Sequence, residues 1–139
     1  MEATLSPSFA PLSETDDISE AAFRYMFFGK SAYYLAIIMG EKKVDPDDAL
    51  LKRFADHKPP VKKVSECTVT SAHEGVRDKE TGEHGLIFRL GEPRWTSDKE
   101  VEIDGGYYES GLAASGNTYY LKKEDGKWKV YNHQQHWIS

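Results

Sequence analysis

Hydrophobic residues change their spacing along this chain near residue 60: before it they recur three and four apart, and after it they mostly alternate. Asp17 followed by Glu20 is a helix-start signature, and the Phe-rich run Ile18 to Phe28 comes directly after it. The expected helix covers 18–29, closes on Gly29 and is apolar on nearly every side, as an enclosed helix is. Tyr33 to Met39 is a short apolar run rich in β-formers and reads as a strand; Ala32, Ala36 and Met39 leave a helical continuation open. Asp45-Pro46 makes an N-cap and first-turn pair for a second helix with Leu50, Leu51, Phe54 and Ala55 at helical spacing, ended by Pro59-Pro60.

From Val61 the pattern predicts five strands, at 61–72, 85–90, 101–112, 117–124 and 127–138. Turn signals separate them at 81–85, 96–99, 113–116 and Asp125-Gly126. Gly105-Gly106 marks an expected bulge or bend in the third. The architecture expected is α+β: an N-terminal arm over 1–17 carrying Pro7 and Pro11, then one domain over 18–139 with N-terminal helices packed on a curved antiparallel sheet.

A two-residue turn at Asp125-Gly126 fixes the register of the last hairpin. With no interruption, Trp128, Val130, Asn132, Gln134 and His136 share a face, opposite Lys123, Leu121, Tyr119, Asn117 and Ser115. Trp128, Val130 and Leu121 make this the core side, yet it turns polar beyond Val130. Such polar side chains either satisfy one another or line a cavity. Strand alternation adds Tyr107 and Glu109 to the same side. The candidate ligand site is therefore Tyr107, Glu109, Tyr119, Asn132, Gln134 and His136. A bulge at Gly105-Gly106 would instead turn Tyr108 inward. Six of the eight tyrosines occur in doublets, which puts one member on each face. Tyr108, Tyr120, Tyr131 and Trp137 then stud the outer face, as aromatic residues with polar handles do at interfaces. A homodimer or partner surface is expected there, with ordinary cross-strand pairing on a wet face as the other reading.

Composition sharpens this. Leu, Ile, Val and Phe number only 28 of 139 residues, so tyrosine must carry part of the core. Eighteen basic against 23 acidic residues give a net charge of −5, which argues against nucleic acid as a partner. No stretch approaches the ~18–20 apolar residues of a membrane span. Residues 1–17 contain no intact signal peptide, which fits a cytoplasmic chain or an exported one whose signal has been removed; the single cysteine, Cys67, fits both.

An enclosed helix, a second capped helix and a curved antiparallel meander ending in KWKVYNHQQHWIS resemble the cone-shaped fold of nuclear-transport-factor-2-like proteins, or the related cystatin-like sheet wrapped on one helix. The run GGYYESGLAASGNTYYLKKEDGKWKV with the terminal HWIS also resembles small bacterial proteins of uncharacterised function, some of them exported. The likeness covers about residues 18–139. It implies a pocket between sheet and helices and dimerisation through the sheet. Some members of that superfamily are isomerases, dehydratases or hydrolases, and many only bind.

The remaining chemistry is sparse. His133 and His136, three apart on a strand, face opposite sides and cannot chelate together. His73-Glu74 and Glu83-His84 match no zinc spacing, so no metal or other cofactor is expected. Cys67 reads as a small buried hydrophobe, and no G-x-S-x-G is present. Paired lysines at 42–43, 62–63 and 122–123 are interleaved with acids and read as solvated faces. The function expected is non-catalytic binding of a small molecule or protein partner in or on the curved sheet. The alternatives are an enzyme using His136 and Glu109 as acid and base, and a pure interaction module.

Overall fold

The computed structural model describes residues 12–28, 34–40, 44–69, 75–110 and 113–138. The architecture is α+β: a helix on one face of a mixed sheet of many strands. The first helix, α1, is Leu12–Phe27, so its start lies six residues before the expected position and takes in residues 12–17. Ile18, Ala22, Phe23, Met26 and Phe27 are buried along one stripe, whereas Tyr25 is 40% and Phe28 88% exposed. The helix is thus amphipathic rather than enclosed. Glu14 anchors its first turn, accepting from Lys123 Nζ at 2.8 Å and Trp128 Nε1 at 3.3 Å.

Strand β1 (Tyr34–Met39) is followed by the short helix α2 (Asp48–Lys52). The cap is Asp47, whose carboxylate accepts from Leu50 N, and not Asp45, which accepts from Ser65 N instead. Arg53, just past α2, ties the helices together through Asp17 and Glu20 of α1, and the rings of Phe23 and Phe54 meet edge to face.

The expected strand at 61–72 is broken. β2 (Val61–Lys63) passes through a single 3-10 turn at Val64–Glu66 into β3 (Cys67–Val69), which pairs with β4 (Val76–Asp78) in a separate two-stranded sheet. Lys62 Nζ donates to Asp78 Oδ1 at 2.7 Å and joins the two sheets. That ammonium, with the N–H groups of Thr81 and Glu80, holds the Asp78 carboxyl down at about 2. The remaining strands are β5 (Gly85–Leu90), β6 (Arg94–Ser97), β7 (Glu100–Ser110), β8 (Ala113–Glu124) and β9 (Lys127–Ile138). β6 occupies part of an expected turn at 96–99, and β8 runs through the one expected at 113–116.

The main sheet has the order β2-β1-β5-β7-β8-β9, with β6 on β7. It is mixed, because β1 runs parallel to both β2 and β5, where an antiparallel meander is the expectation. The reason is visible in β1 itself. Leu35, Ala36, Ile37 and Ile38 are all buried, and an unbroken apolar run is what a strand covered on both faces requires. Its inner residues join the main core with α1, around Phe23, Phe27, Phe54 and Phe88. Ala36 and Ile38 on the outer face pack with Ile87, Cys67 and Val76 under the β3–β4 hairpin. Among the described residues no helix is long and apolar enough to cross a membrane.

Gly105 and Gly106 form no bulge; they pair in register with Leu90, Arg89, Asn117 and Gly116. Their role is close approach. A Cβ on Gly105 would lie 2.6 Å from the Arg89 carbonyl oxygen, and one on Gly106 would overlap that of Ser115. Coiling of the sheet around α1 needs both positions bare. Gly106→Ala is therefore expected to destabilise by about 1–3 kcal/mol. Gly91→Ala, whose Cβ finds only ordinary contact, should leave stability within about 1 kcal/mol of wild type. Urea unfolding of the two variants checks this, and equal losses would contradict it.

Candidate functional site

The end of the sheet farthest from the Asp125-Gly126 turn carries the polar residues. The hairpin β8–β9 begins in the expected register: Glu124 faces Lys127, and Leu121 faces Val130. Between Leu121 and Tyr120 the register shifts, so Tyr120 pairs with Asn132, Tyr119 with His133, Thr118 with Gln134 and Asn117 with Gln135. A second shift pairs Gly116 with Trp137 and Ser115 with Ile138. Each shift is a bulge, at Tyr131 and at His136. A one-residue slip exchanges the faces of everything beyond it. The expected partnerships of Tyr119 with Asn132, Asn117 with Gln134 and Ser115 with His136 are all replaced.

The inner face beyond the first bulge therefore presents His133 and Gln135, not Asn132 and Gln134. Together with Ser115, Asn117 and Tyr119 of β8, Tyr107 of β7, Phe88 of β5 and Tyr25 of α1, they enclose a cavity of about 210 Å³. Its floor is buried at Phe88, Ser115, Asn117 and Tyr119, and its rim is exposed at Tyr25, His133 and Gln135. Asn117 Nδ2 donates to Ser115 Oγ at 3.2 Å. An amide has two donors and an oxygen acceptor, so polar capacity is left at the cavity wall. The Tyr25 hydroxyl and His133 Nδ1 lie 2.6 Å apart, one donating to the other. The rings of Tyr25, Tyr119 and His133 form a closed triad with centroids 5.6–6.2 Å apart.

Two of the six expected site residues, Tyr107 and Tyr119, line this cavity. Glu109 sits exposed in a third irregularity, between Tyr108 and Ser110, and is not part of the lining. Asn132 turns its Oδ1 back to the N–H of His133, and Gln134 accepts from the Tyr120 hydroxyl on the outer face. His136 is outside as well, with Nε2 2.6 Å from Thr118 Oγ1. The expected acid/base pair of His136 and Glu109 is thus not assembled.

His136 belongs to a different arrangement. Thr118 Oγ1 donates to Asp104 Oδ1 at 2.8 Å, and Asp104 also takes two bonds from Arg94, at 2.9 and 3.1 Å. Arg94 beside Asp104 holds its carboxyl below the usual range against the opposing effect of burial, so the group is ionised and only accepts. Thr118 has one proton and gives it to Asp104. It must then accept from His136, which fixes the imidazole proton on Nε2. His136 cannot take a proton from Thr118 in this geometry, so the trio is a structural clamp and not an activated nucleophile.

The outer aromatic residues fall where expected: Tyr108, Tyr120, Tyr131 and Trp137 all lie on the outer face. Tyr120 and Tyr131 rings are 6.4 Å apart, and Lys122 sits over Tyr131. His133 and Gln135 escape the sequence pattern, for YNHQQH holds no aliphatic residue by which a bulge would show, and Tyr25 escapes it because it sits within the run Ile18 to Phe28, which reads as an enclosed helix. Of the metal candidates, His73-Glu74 lies outside the described residues, and no cluster of three or more His, Cys, Asp or Glu forms among those that are described. No family model matches the chain, and no curated protein or solved structure matches it.

Burial pushes the Tyr119 hydroxyl up to about 12 from an ordinary 10.0, while its bond with Asn117 pulls the other way. Folded Tyr119 keeps its proton where the unfolded chain would release it. Tyr119's contribution to stability is therefore full below about pH 10 and falls as pH rises toward 12. Ultraviolet difference titration should show one late-ionising tyrosine that Tyr119→Phe removes; an unchanged late component would contradict the assignment.

Proposed function

We propose that this chain is a non-catalytic binding protein whose ligand is a small, uncharged molecule with a flat ring and polar edges. The observation that carries this reading is the cavity itself, with buried amide and hydroxyl groups on its floor and an exposed aromatic rim. Ligand sites take this form, mostly apolar walls with a few placed polar groups. The volume of about 210 Å³ is below the ~300–1,000 Å³ typical of drug-sized ligands, which limits the occupant to a compact molecule. None of the lining residues among those described is a carboxylate, lysine or arginine, which favours a neutral ligand. We place the architecture with the cystatin-like and nuclear-transport-factor-2-like folds; support comes from β5, β7, β8 and β9 coiling antiparallel on α1, while the parallel β1 lies outside that likeness. A homodimer through the outer face remains part of the proposal, supported at the turn end of the last hairpin by the exposure of Tyr131 beside Tyr120.

One observation favours a second reading. The bond between the Tyr25 hydroxyl and His133 Nδ1 is a pair that can relay a proton, which would serve an isomerase or dehydratase.

A thermal-shift screen of neutral heteroaromatic compounds tests the proposal. A ligand at 100 times its Kd stabilises by about 2.7 kcal/mol, enough to raise Tm by several degrees. Tyr25→Phe and His133→Ala are each expected to weaken such a hit about tenfold, as loss of a ligand-facing polar group does. A library in which no compound raises Tm, or hits indifferent to both variants, would contradict it. Turnover of a hit that Tyr25→Phe abolishes would establish the second reading in its place.

A further inference from the structure

One row of residues crosses the outer face of the sheet from strand to strand: Ile38 of β1, Arg89 of β5, Gly106 of β7, Gly116 of β8 and Trp137 of β9. Its two central members have no side chains. Gly106 must be glycine, since a Cβ there would overlap the Ser115 carbonyl, and a Cβ on Gly116 would displace the Trp137 indole that lies over it. The row is thus a trough with a guanidinium at one end and an indole at the other, the indole lying over Gly116. Ile38, Ile87, Val69 and Tyr108 border the same space, a cavity of about 620 Å³, well inside the ~300–1,000 Å³ range of ligand sites.

Arg89 is the one charged residue bordering this trough, and it also borders a neighbouring cavity with Glu92, Arg94 and Asp104. It is half-buried, and among the described residues no carboxylate lies within ion-pair distance of it. Of the two carboxylates that share a cavity with it, Glu92 and Asp104, the latter is committed to Arg94 and Thr118. The contrast with Arg94, which holds both Asp104 and Glu102, is informative in a chain with 23 acidic residues. A half-buried guanidinium with no ion pair among the described residues keeps its donors for a ligand, and arginine is suited to grip a planar anion with two parallel bonds. Trp137, 52% exposed, and Tyr108 supply faces for an aromatic body next to that charge.

We propose that this trough is a second binding site, for a planar aromatic carboxylate whose carboxyl group pairs with Arg89 and whose ring packs on Trp137 and Tyr108. It opens on the opposite face of the sheet from the inner cavity, with Tyr107 and Ser115 bordering both, and takes a charged ligand where the inner cavity takes a neutral one.

The test compares 2-naphthoate with 2-naphthamide, which has the same ring without the charge. Binding is followed through the Trp137 indole N–H signal in two-dimensional NMR of the full chain, assigned with Trp137→Phe. The naphthoate should shift that signal with an affinity about tenfold or more above that of the amide, the discrimination expected from a charge-assisted bidentate contact. Arg89→Met, which keeps the apolar stem, should abolish the preference. Equal affinities for acid and amide, or absence of any shift at the Trp137 signal, would each overturn the proposal. If Arg89→Met does not fold, the acid-to-amide comparison on the wild-type chain still decides it.

Discussion

Strand β9 uses two more residues than β8 to travel between the same two ends of their shared ladder. Everything at the candidate site depends on that mismatch. The hydrogen-bond ladder admits an extra residue only as a bulge, and each bulge bends the strand and adds local twist. The first, at Tyr131, comes just where the apolar residues Trp128 and Val130 end. It brings His133 over the helix, within reach of Tyr25, and sends Asn132 and Gln134 to the opposite face. The second, at His136, returns Trp137 to the outer face, above Gly116. Two histidines three residues apart thereby serve separate networks on separate faces.

The same coiling links the inner and outer surfaces. A sheet that curls around one helix brings neighbouring backbones close, and Gly105 and Gly106 are positions where that closeness excludes a Cβ, while Gly116 leaves room for the Trp137 indole. Removing those side chains for the sake of curvature empties the middle of the outer face. The trough between Arg89 and Trp137 is thus a by-product of the geometry that shapes the inner cavity. At the other end of the sheet the demand is reversed: β1 and the first half of β5 are covered on both faces, by α1 within and the β3–β4 hairpin without, and Leu35 to Ile38 and Leu86 to Phe88 are apolar on both sides.

Much of this was legible in the residues, and what was not has physical causes. The α+β class, the Phe-rich helix, β1, β5 and the final hairpin follow from period and turn chemistry. Asp125-Gly126 sets the first four pairings of that hairpin correctly. The outward placement of Tyr108 and Tyr120 and the inward placement of Tyr107 and Tyr119 follow from alternation; Trp137 falls outward as alternation expects because the two bulges cancel. Where the residues turn uniformly polar, in YNHQQH, no apolar side chain has a face to prefer, and register is specified by backbone coiling that no single residue reports. Asn132, Gln134 and His136 were misplaced for that reason. The parallel pairing of β1 depends on contacts with β2 and β5 far along the chain, and its one local trace is the unbroken burial of Leu35 to Ile38. Gly105-Gly106 carried a true signal of backbone constraint, close approach in a regular ladder, that is indistinguishable in sequence from a bulge.

The register of β9 is the claim on which the inner site and the outer trough both stand, and cross-strand nuclear Overhauser effects measure it directly. The double-bulged ladder predicts contacts from the Tyr119 ring to the rings of His133 and Tyr25, and from the Thr118 side chain to the His136 ring. Contacts joining Tyr119 to Asn132, Asn117 to Gln134 and Ser115 to His136 as directly paired residues would mean an uninterrupted ladder, and would contradict both sites at once.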